Sequence, residues 1–245
     1  MKKMWAIGDI HGCARTLTEL IEEKIQPNYE DEIYLLGDYI DRGPDAKGVI
    51  DYIVQLQDMG YQVKPIIGNH EDVLLRCYAH ELENPKYFGM YELKDNWLYF
   101  GGSATLKSFG VKNISEIPSF YIDFLQSLPY YYQNEKYVLV HAGLNFTIDN
   151  PFSDELSMLW AKDYEIVPSK IQNRKIVHGH VPHTLQSIEQ NIAYSYSVSL
   201  DNGCVYQKRE GMGNLIALEL NTGKLAVQAN IDYENKPNYV LQVAA

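Results

Sequence analysis

Short apolar runs and helically spaced apolar positions alternate through the first third of the chain. Met4 to Ile7 reads as a strand, and Leu17, Leu20, Ile21 and Ile25 then mark one helix face that stops near Pro27-Asn28. Ile33-Tyr34-Leu35-Leu36 is a second buried-strand run, followed by turn chemistry at Gly43-Pro44-Asp45 and helical spacing from Val49 to Val54. Tyr61 to Ile67 is a third strand, and Val73, Leu74, Cys77 and Tyr78 place a third helix after it. Three such units in a row predict a right-handed parallel βαβ layout. Each strand ends in a polar cluster: Gly8-Asp9-Ile10-His11-Gly12, then Gly37 to Asp45, then Gly68-Asn69-His70-Glu71. Open α/β sheets bind ligands outside the carboxyl ends of their strands, so the three clusters are expected to meet in space.

The pattern changes between residues 81 and 133, where Asn84-Pro85, Gly101-Gly102, Pro118 and Pro129 interrupt a tyrosine-rich stretch with a predicted helix at Tyr121 to Leu128. This segment is expected to be a mostly helical insertion or cap within a single domain spanning 1–245. Strands follow at Lys136 to Val140, ending in His141-Ala142-Gly143, and at Arg174 to Val177, ending in His178-Gly179-His180. Tyr194 to Leu200, Asn214 to Leu220 and Leu225 to Ala229 then read as closely spaced strands, with Asn221-Thr222-Gly223 as a hairpin turn. They predict an antiparallel sheet beside the parallel one. A loose tail is expected from about Tyr233.

Composition narrows the function classes. A chain of 245 residues with 46% hydrophobic and 22% charged positions can bury a sizeable core. Its formal net charge of −11 argues against non-specific nucleic-acid binding and against an anionic membrane surface. No stretch approaches the ~20 apolar residues of a membrane helix, and the apolar start is shorter than the ~7–15 residues of a signal-peptide core. Cys13, Cys77 and Cys204 are widely spaced and odd in number, which predicts reduced thiols and a cytoplasmic location. A local metal site can invert this acidic balance and admit an anionic substrate.

The strand-end loops supply such a site. They carry Asp9 and His11, Asp38 and Asp41, Asn69 and His70, His141, and His178 with His180. A mixed oxygen and imidazole set suits two divalent transition metals and differs from an all-oxygen calcium cage. The ordered motifs GDIHG (8–12), GDYIDRG (37–43), GNHE (68–71), HAG (141–143) and GH (179–180) resemble the PPP-type, calcineurin-like metallophosphoesterases. That family includes the serine/threonine protein phosphatases, the phage lambda phosphatase and bacterial diadenosine tetraphosphate hydrolases. The motifs span Gly8 to His180, and as an ordered set they are far more specific than any one of them.

The resemblance implies a four-layer α/β/β/α sandwich and two divalent metal ions, manganese foremost, with iron or zinc also accepted. It implies Asp9 and His11 as ligands of one ion, Asp38 as the shared carboxylate, and Asn69, His141 and His180 as ligands of the second. A hydroxide on the metals, its pKa lowered from about 15.7 toward about 7, then attacks phosphorus in line. His70 corresponds to the general acid, Asp41 to the residue that orients it, and Arg42 to the phosphate-binding arginine. Two positions depart from the family pattern. Ile67 stands where many protein phosphatases carry an arginine, and Lys162, two residues after Trp160, replaces the arginine of the lambda-like enzymes. Lysine offers a point charge in place of a bidentate fork.

Other residues read as structural. His178 and His183 are taken as loop residues outside the ligand set, His80 as an ordinary helix histidine, and Cys13 as a small buried residue; Tyr39 is a candidate for the cleft wall. The expected function is hydrolysis of phosphate monoesters of a phosphorylated protein or peptide. The second expectation is hydrolysis of dinucleoside polyphosphates. A third, a binding module that keeps the metals without turnover, is disfavoured by the intact Asp41, Arg42 and His70.

Overall fold

A computed structural model describes residues 2–83 and 88–233. The three expected βαβ units are present: β1 (Met4–Ile7), α1 (Ala14–Glu19) running into a π-helical turn at Leu20–Ile25, β2 (Glu32–Leu35), α2 (Ala46–Asp58), β3 (Gln62–Pro65) and α3 (Asn69–Glu83). Helices α4 (Phe88–Trp97), α5 (Ser103–Phe109) and α6 (Ser119–Gln126) follow, with a π-helical stretch at Leu98–Gly102 between the first two. Helix α4 packs on α3, and α5 on α2. Then come β4 (Tyr131–Gln133), β5 (Tyr137–Val140), α7 (Glu155–Trp160), β6 (Lys175–His178), α8 (Leu185–Tyr194), β7 (Ser197–Ser199), β8 (Asn214–Glu219) and β9 (Lys224–Ala229).

Two sheets result, one ordered β3-β2-β1-β8-β9 and the other β4-β5-β6-β7. Register brings the loops to one level. Ile7 lies opposite Leu35, and Leu35 opposite Pro65, so the first three polar loops leave the sheet side by side. In the second sheet Leu139 lies opposite Val177, which levels the His141 and His180 loops.

Alternation along the strands explains why the sheets stack. Trp5, Ile7, Ile33, Leu35, Leu215 and Ala217 pack with α1 and α2 on one side of the first sheet. Their neighbours Ala6, Tyr34, Ile216 and Leu218 join Leu139, Val177 and Val198 of the second sheet in a separate cluster between the two. Val138, Val140 and Ile176 face away from it and pack with Met158 of α7 and with Ile171. Strands buried on both faces therefore appear in the sequence as continuous apolar runs, and the expected helix–sheet–sheet–helix layering follows.

Two expectations are corrected. Tyr194 to Leu200 is not one strand: residues 185–194 form α8, capped by Thr184, whose hydroxyl accepts from Ser187 N. Only Ser197–Ser199 are extended, and they pair parallel with β6. Helix α8 buries Ile188 alone among its residues, too narrow an apolar face for periodicity to register. The β8–β9 hairpin is antiparallel as expected, but β8 pairs with β1 and lengthens the first sheet, so among the described residues there is no separate antiparallel sheet. The expected tail after Tyr233 lies outside the described residues. Among the described residues no helix is long and apolar enough to cross a membrane.

Candidate active site

All five loops converge where the two sheets present their carboxyl ends. Their backbone is unusual: His11 (φ 46°), Asp38 (54°), Asp41 (68°), Arg42 (66°) and His180 (69°) are non-glycine residues in the left-handed region. Each such residue costs on the order of 1–3 kcal/mol, a cost tolerated where surrounding contacts over-determine the conformation. Here the contacts are visible. Ile10 N and His11 N both donate to Asp38 O, and Gly12 N donates to Tyr39 O. Glu71, fully buried, accepts from Gly68 N, Asp38 N, Tyr39 N and Ile40 N at 2.8–3.2 Å. The second sheet closes onto the first through His180 N, which donates to both oxygens of Asp9 at 3.0–3.1 Å. A Cβ at Gly179 would stand 1.9 Å from Asp9 Oδ1, so only glycine permits this approach.

Asp38 sits between two imidazoles. Its Oδ1 is 3.4 Å from His141 Nε2 and its Oδ2 is 3.5 Å from His11 Nε2. The far nitrogens are already committed, His141 Nδ1 to Leu36 O at 2.7 Å and His11 Nδ1 to Ile40 O at 2.9 Å. A neutral ring that donates from Nδ1 turns the lone pair of Nε2 toward the carboxylate. Burial lowers the pKa of both histidines and Arg42 lowers that of His11 further, so both rings are neutral. Asp38 is held well below the usual carboxylate range: burial opposes ionisation, and the positive charge of Arg42 is among the neighbours that favour it. Each oxygen of the ionised carboxylate thus lies within 3.5 Å of an unprotonated imidazole nitrogen. Asn69 Oδ1 lies 2.8 Å from His141 Nε2 and 2.9 Å from His180 Nδ1, completing the second group.

His70 stands on the other side of Asp38. Its Nδ1 lies 2.7 Å from Asp41 Oδ2, and Asp41 also accepts from Trp97 Nε1 at 3.0 Å and Thr105 Oγ1 at 2.6 Å. Burial works against a proton on His70, but Asp38 and Asp41 outweigh it and raise its pKa. Arg42 forks onto His11 Nε2 at 2.6 Å and His70 Nε2 at 2.8 Å. While it does so His70 is neutral with its hydrogen on Nδ1; protonation at Nε2 requires the guanidinium to move. The cleft of about 200 Å³ above these groups is lined by Asp38, Arg42, Asn69 and His70 on one side and by Trp160, Lys162 and His180 on the other.

The family profile described as calcineurin-like phosphoesterase matches residues 2–216. This chain is a calcineurin-like phosphoesterase. A symmetrical bis(5'-nucleosyl)-tetraphosphatase of Nitrosospira multiformis is 29% identical over 144 residues, covering 58% of this phosphoesterase and 43% of that protein. A zinc-dependent endopolyphosphatase of Saccharomyces cerevisiae is 41% identical over 75 residues, 30% of this chain and 22% of that one. The alignments thus span less than half the length of the curated relatives. Among solved structures, a protein serine/threonine phosphatase from Saccharomyces cerevisiae superposes with a TM-score of 0.62 at 16% identity, covering 96% of this chain and 82% of its own. A metallophosphoesterase from Sphaerobacter thermophilus gives 0.52 at 16%, covering 93% and 87%. These two likenesses speak for the fold alone.

A calcineurin-like phosphoesterase implies divalent metal ions, and this one has the donors for them. Asp9, Asp38 and His141 each offer a ligand atom within 4.8 Å of the others, and so do His11, Asp38 and His70. His180 Nε2 is buried without a hydrogen-bond partner. These carboxylate and imidazole donors, gathered around an ionised Asp38, fit the implied ions.

Three contributors escaped the sequence reading. Asp201 is buried beside Asp9, and burial together with Asp38 lifts its pKa to about 7; Asp9 is raised by burial and then by Asp201 and Asp38. Trp97 and Thr105 hold Asp41 from a segment more than fifty residues downstream. No local pattern marks any of them. Tyr39 is corrected: it is fully buried, its hydroxyl donates to Leu35 O and Ile66 O, and it does not line the cleft. His178 is half-buried with Nδ1 against Gly179 O, outside both metal groups. Ile67 packs in the core, so no cation enters the cleft from that position.

Proposed function

We propose that this phosphoesterase hydrolyses dinucleoside polyphosphates with two divalent metal ions. The observation that carries dinuclear hydrolysis is Asp38, with one oxygen toward His11 and the other toward His141. The substrate class is supported by the relatives, whose names place their activity on nucleoside tetraphosphates and polyphosphate. This reading displaces hydrolysis of phosphoproteins, which the sequence motifs had favoured and which the fold likeness to a protein phosphatase does not single out.

Asp9, His11 and Asp38 would hold one ion, and Asp38, Asn69, His141 and His180 the other. When bound, such ions neutralise phosphoryl oxygens and lower the pKa of water. Arg42 turns from the two histidines onto the phosphoryl group, where its fork matches two oxygens. Its departure frees His70 Nε2 to hold a proton, while Asp41 keeps Nδ1–H in place. That proton passes to the departing phosphate oxygen. Lys162, across the cleft, adds a point charge for the rest of the polyphosphate.

The test is a paired initial-rate assay on manganese-loaded protein, with zinc-loaded protein alongside. Diadenosine tetraphosphate and a phosphoserine/phosphothreonine peptide are compared at matched concentrations. A higher kcat/KM on the dinucleotide is expected. A clear preference for the peptide would return the assignment to the protein phosphatases.

A further inference from the structure

Next to the cleft, and joined to it at Arg42 and Phe100, lies a second, open groove lined by Tyr99, Phe100, Val205, Tyr206 and Tyr233. Three of its aromatic residues are exposed, Tyr99 to 87%, Tyr233 to 49% and Phe100 to 47%, and Tyr206 is half-buried. Single exposed aromatics are ordinary on a protein surface. Four aromatic residues along one groove that opens beside the phosphate-binding arginine are not scattered.

Both walls are tied to the site. On one, Gly101 O accepts from Arg42 N at 3.2 Å, and Gly101 adopts φ 112° with no room for a Cβ, which would meet Arg42 N at 2.7 Å. Trp97, two residues before Tyr99, donates its indole hydrogen to Asp41. Tyr99 and Phe100 are therefore held relative to the catalytic loop. On the other wall, Gly203 N donates to Asp201 Oδ1, and Tyr206 N donates to Gly203 O. The Arg209 guanidinium lies over the Tyr206 ring at 4.0 Å, which orients the ring and adds positive charge to an otherwise acidic chain.

From this juxtaposition we infer that the groove is a nucleobase subsite: it takes the purine and ribose on one end of a dinucleoside polyphosphate whose phosphates lie on Arg42. Flat rings beside a guanidinium suit a stacked base at the end of a polyanion, because every base has a π-face and the phosphates need cations. The inference rests on the proposed dinucleotide reading and names the part of the chain that selects the substrate.

The experiment uses the full chain with Tyr99→Ala and, separately, Tyr206→Ala. Tyr99 is so exposed that its loss leaves the fold alone. KM for diadenosine tetraphosphate is expected to rise between about 5-fold and about 150-fold, the worth of one stacked base. KM for inorganic tripolyphosphate, which has no base, should rise much less. In parallel, metal-free protein in chelator is titrated calorimetrically with adenosine monophosphate and with ribose 5-phosphate. Weakened binding of the nucleotide, with ribose 5-phosphate little affected, supports the subsite even if wild type cleaves no dinucleotide, an outcome that would sink the proposed function alone. Equal losses on dinucleotide and tripolyphosphate, or an unaltered nucleotide affinity in both variants, would overturn the subsite and leave the proposed function standing.

Discussion

Replacing Glu71 by glutamine tests how the strained loops are held. The side chain is fully buried, and all four of its partners are N–H donors: Tyr39 N and Ile40 N on Oε1, Asp38 N and Gly68 N on Oε2. Burial and the nearby Asp38 push its pKa up to about 8, yet four donors and no acceptor make the ionised carboxylate the form that fits. Glutamine has the same shape but must turn its NH₂ toward two N–H groups. Two charge-assisted hydrogen bonds disappear, each worth roughly 1.5–3 kcal/mol, so the loss is roughly 3–6 kcal/mol. Against a typical total of about 5–15 kcal/mol this is large. For a chain of this size it lowers Tm by about 6–24 °C, at roughly 2–4 °C per kcal/mol. The assay is thermal unfolding of chelator-treated wild type and Glu71→Gln, followed by circular dichroism. A Tm within about 2 °C of wild type would refute the reasoning. It would mean that Glu71 is protonated in the fold, since a carboxylic acid already turns a hydroxyl toward the same donors.

The chemistry gives two further tests. In His70→Asn, turnover of phosphate esters with poor leaving groups should fall roughly 10²–10⁴-fold, and that of p-nitrophenyl phosphate far less; equal losses on both would remove His70 as the proton donor. The second concerns pH. Asp201, lifted to about 7, and the raised Asp9 bind protons in the metal-free fold that the unfolded chain has lost. For Asp201 the stabilisation is full below the ordinary carboxylate range and is lost as pH rises through about 7, and Asp9 shifts in the same direction. A divalent cation takes the place of those protons, so the Tm gain from added manganese should be larger at pH 8 than at pH 6. Equal gains at the two pH values would contradict this coupling.

Much of the molecule is written locally. The apolar runs at Met4–Ile7 and Ile33–Leu36 and the helix faces after them define the βαβ units, because strand and helix periods depend on neighbours a few residues apart. Placing Asp9, His11, Asp38, Asn69 and His141 at strand ends follows from the same reading and the rule that such ends converge. Helix α8 was missed because its apolar face is narrow, and the place of β8 because strand pairing is settled across the whole chain. What only the tertiary structure decides is contact between distant residues: His180 with Asp9 across 171 positions, Trp97 and Thr105 with Asp41, and Glu71 under the Asp38 loop. The two unprotonated imidazole nitrogens beside Asp38 belong to this class as well, since each depends on a carbonyl, Leu36 O or Ile40 O, that fixes the tautomer from behind. Motif spacing names the residue types at a site. Burial and backbone geometry set which atom of each faces the next.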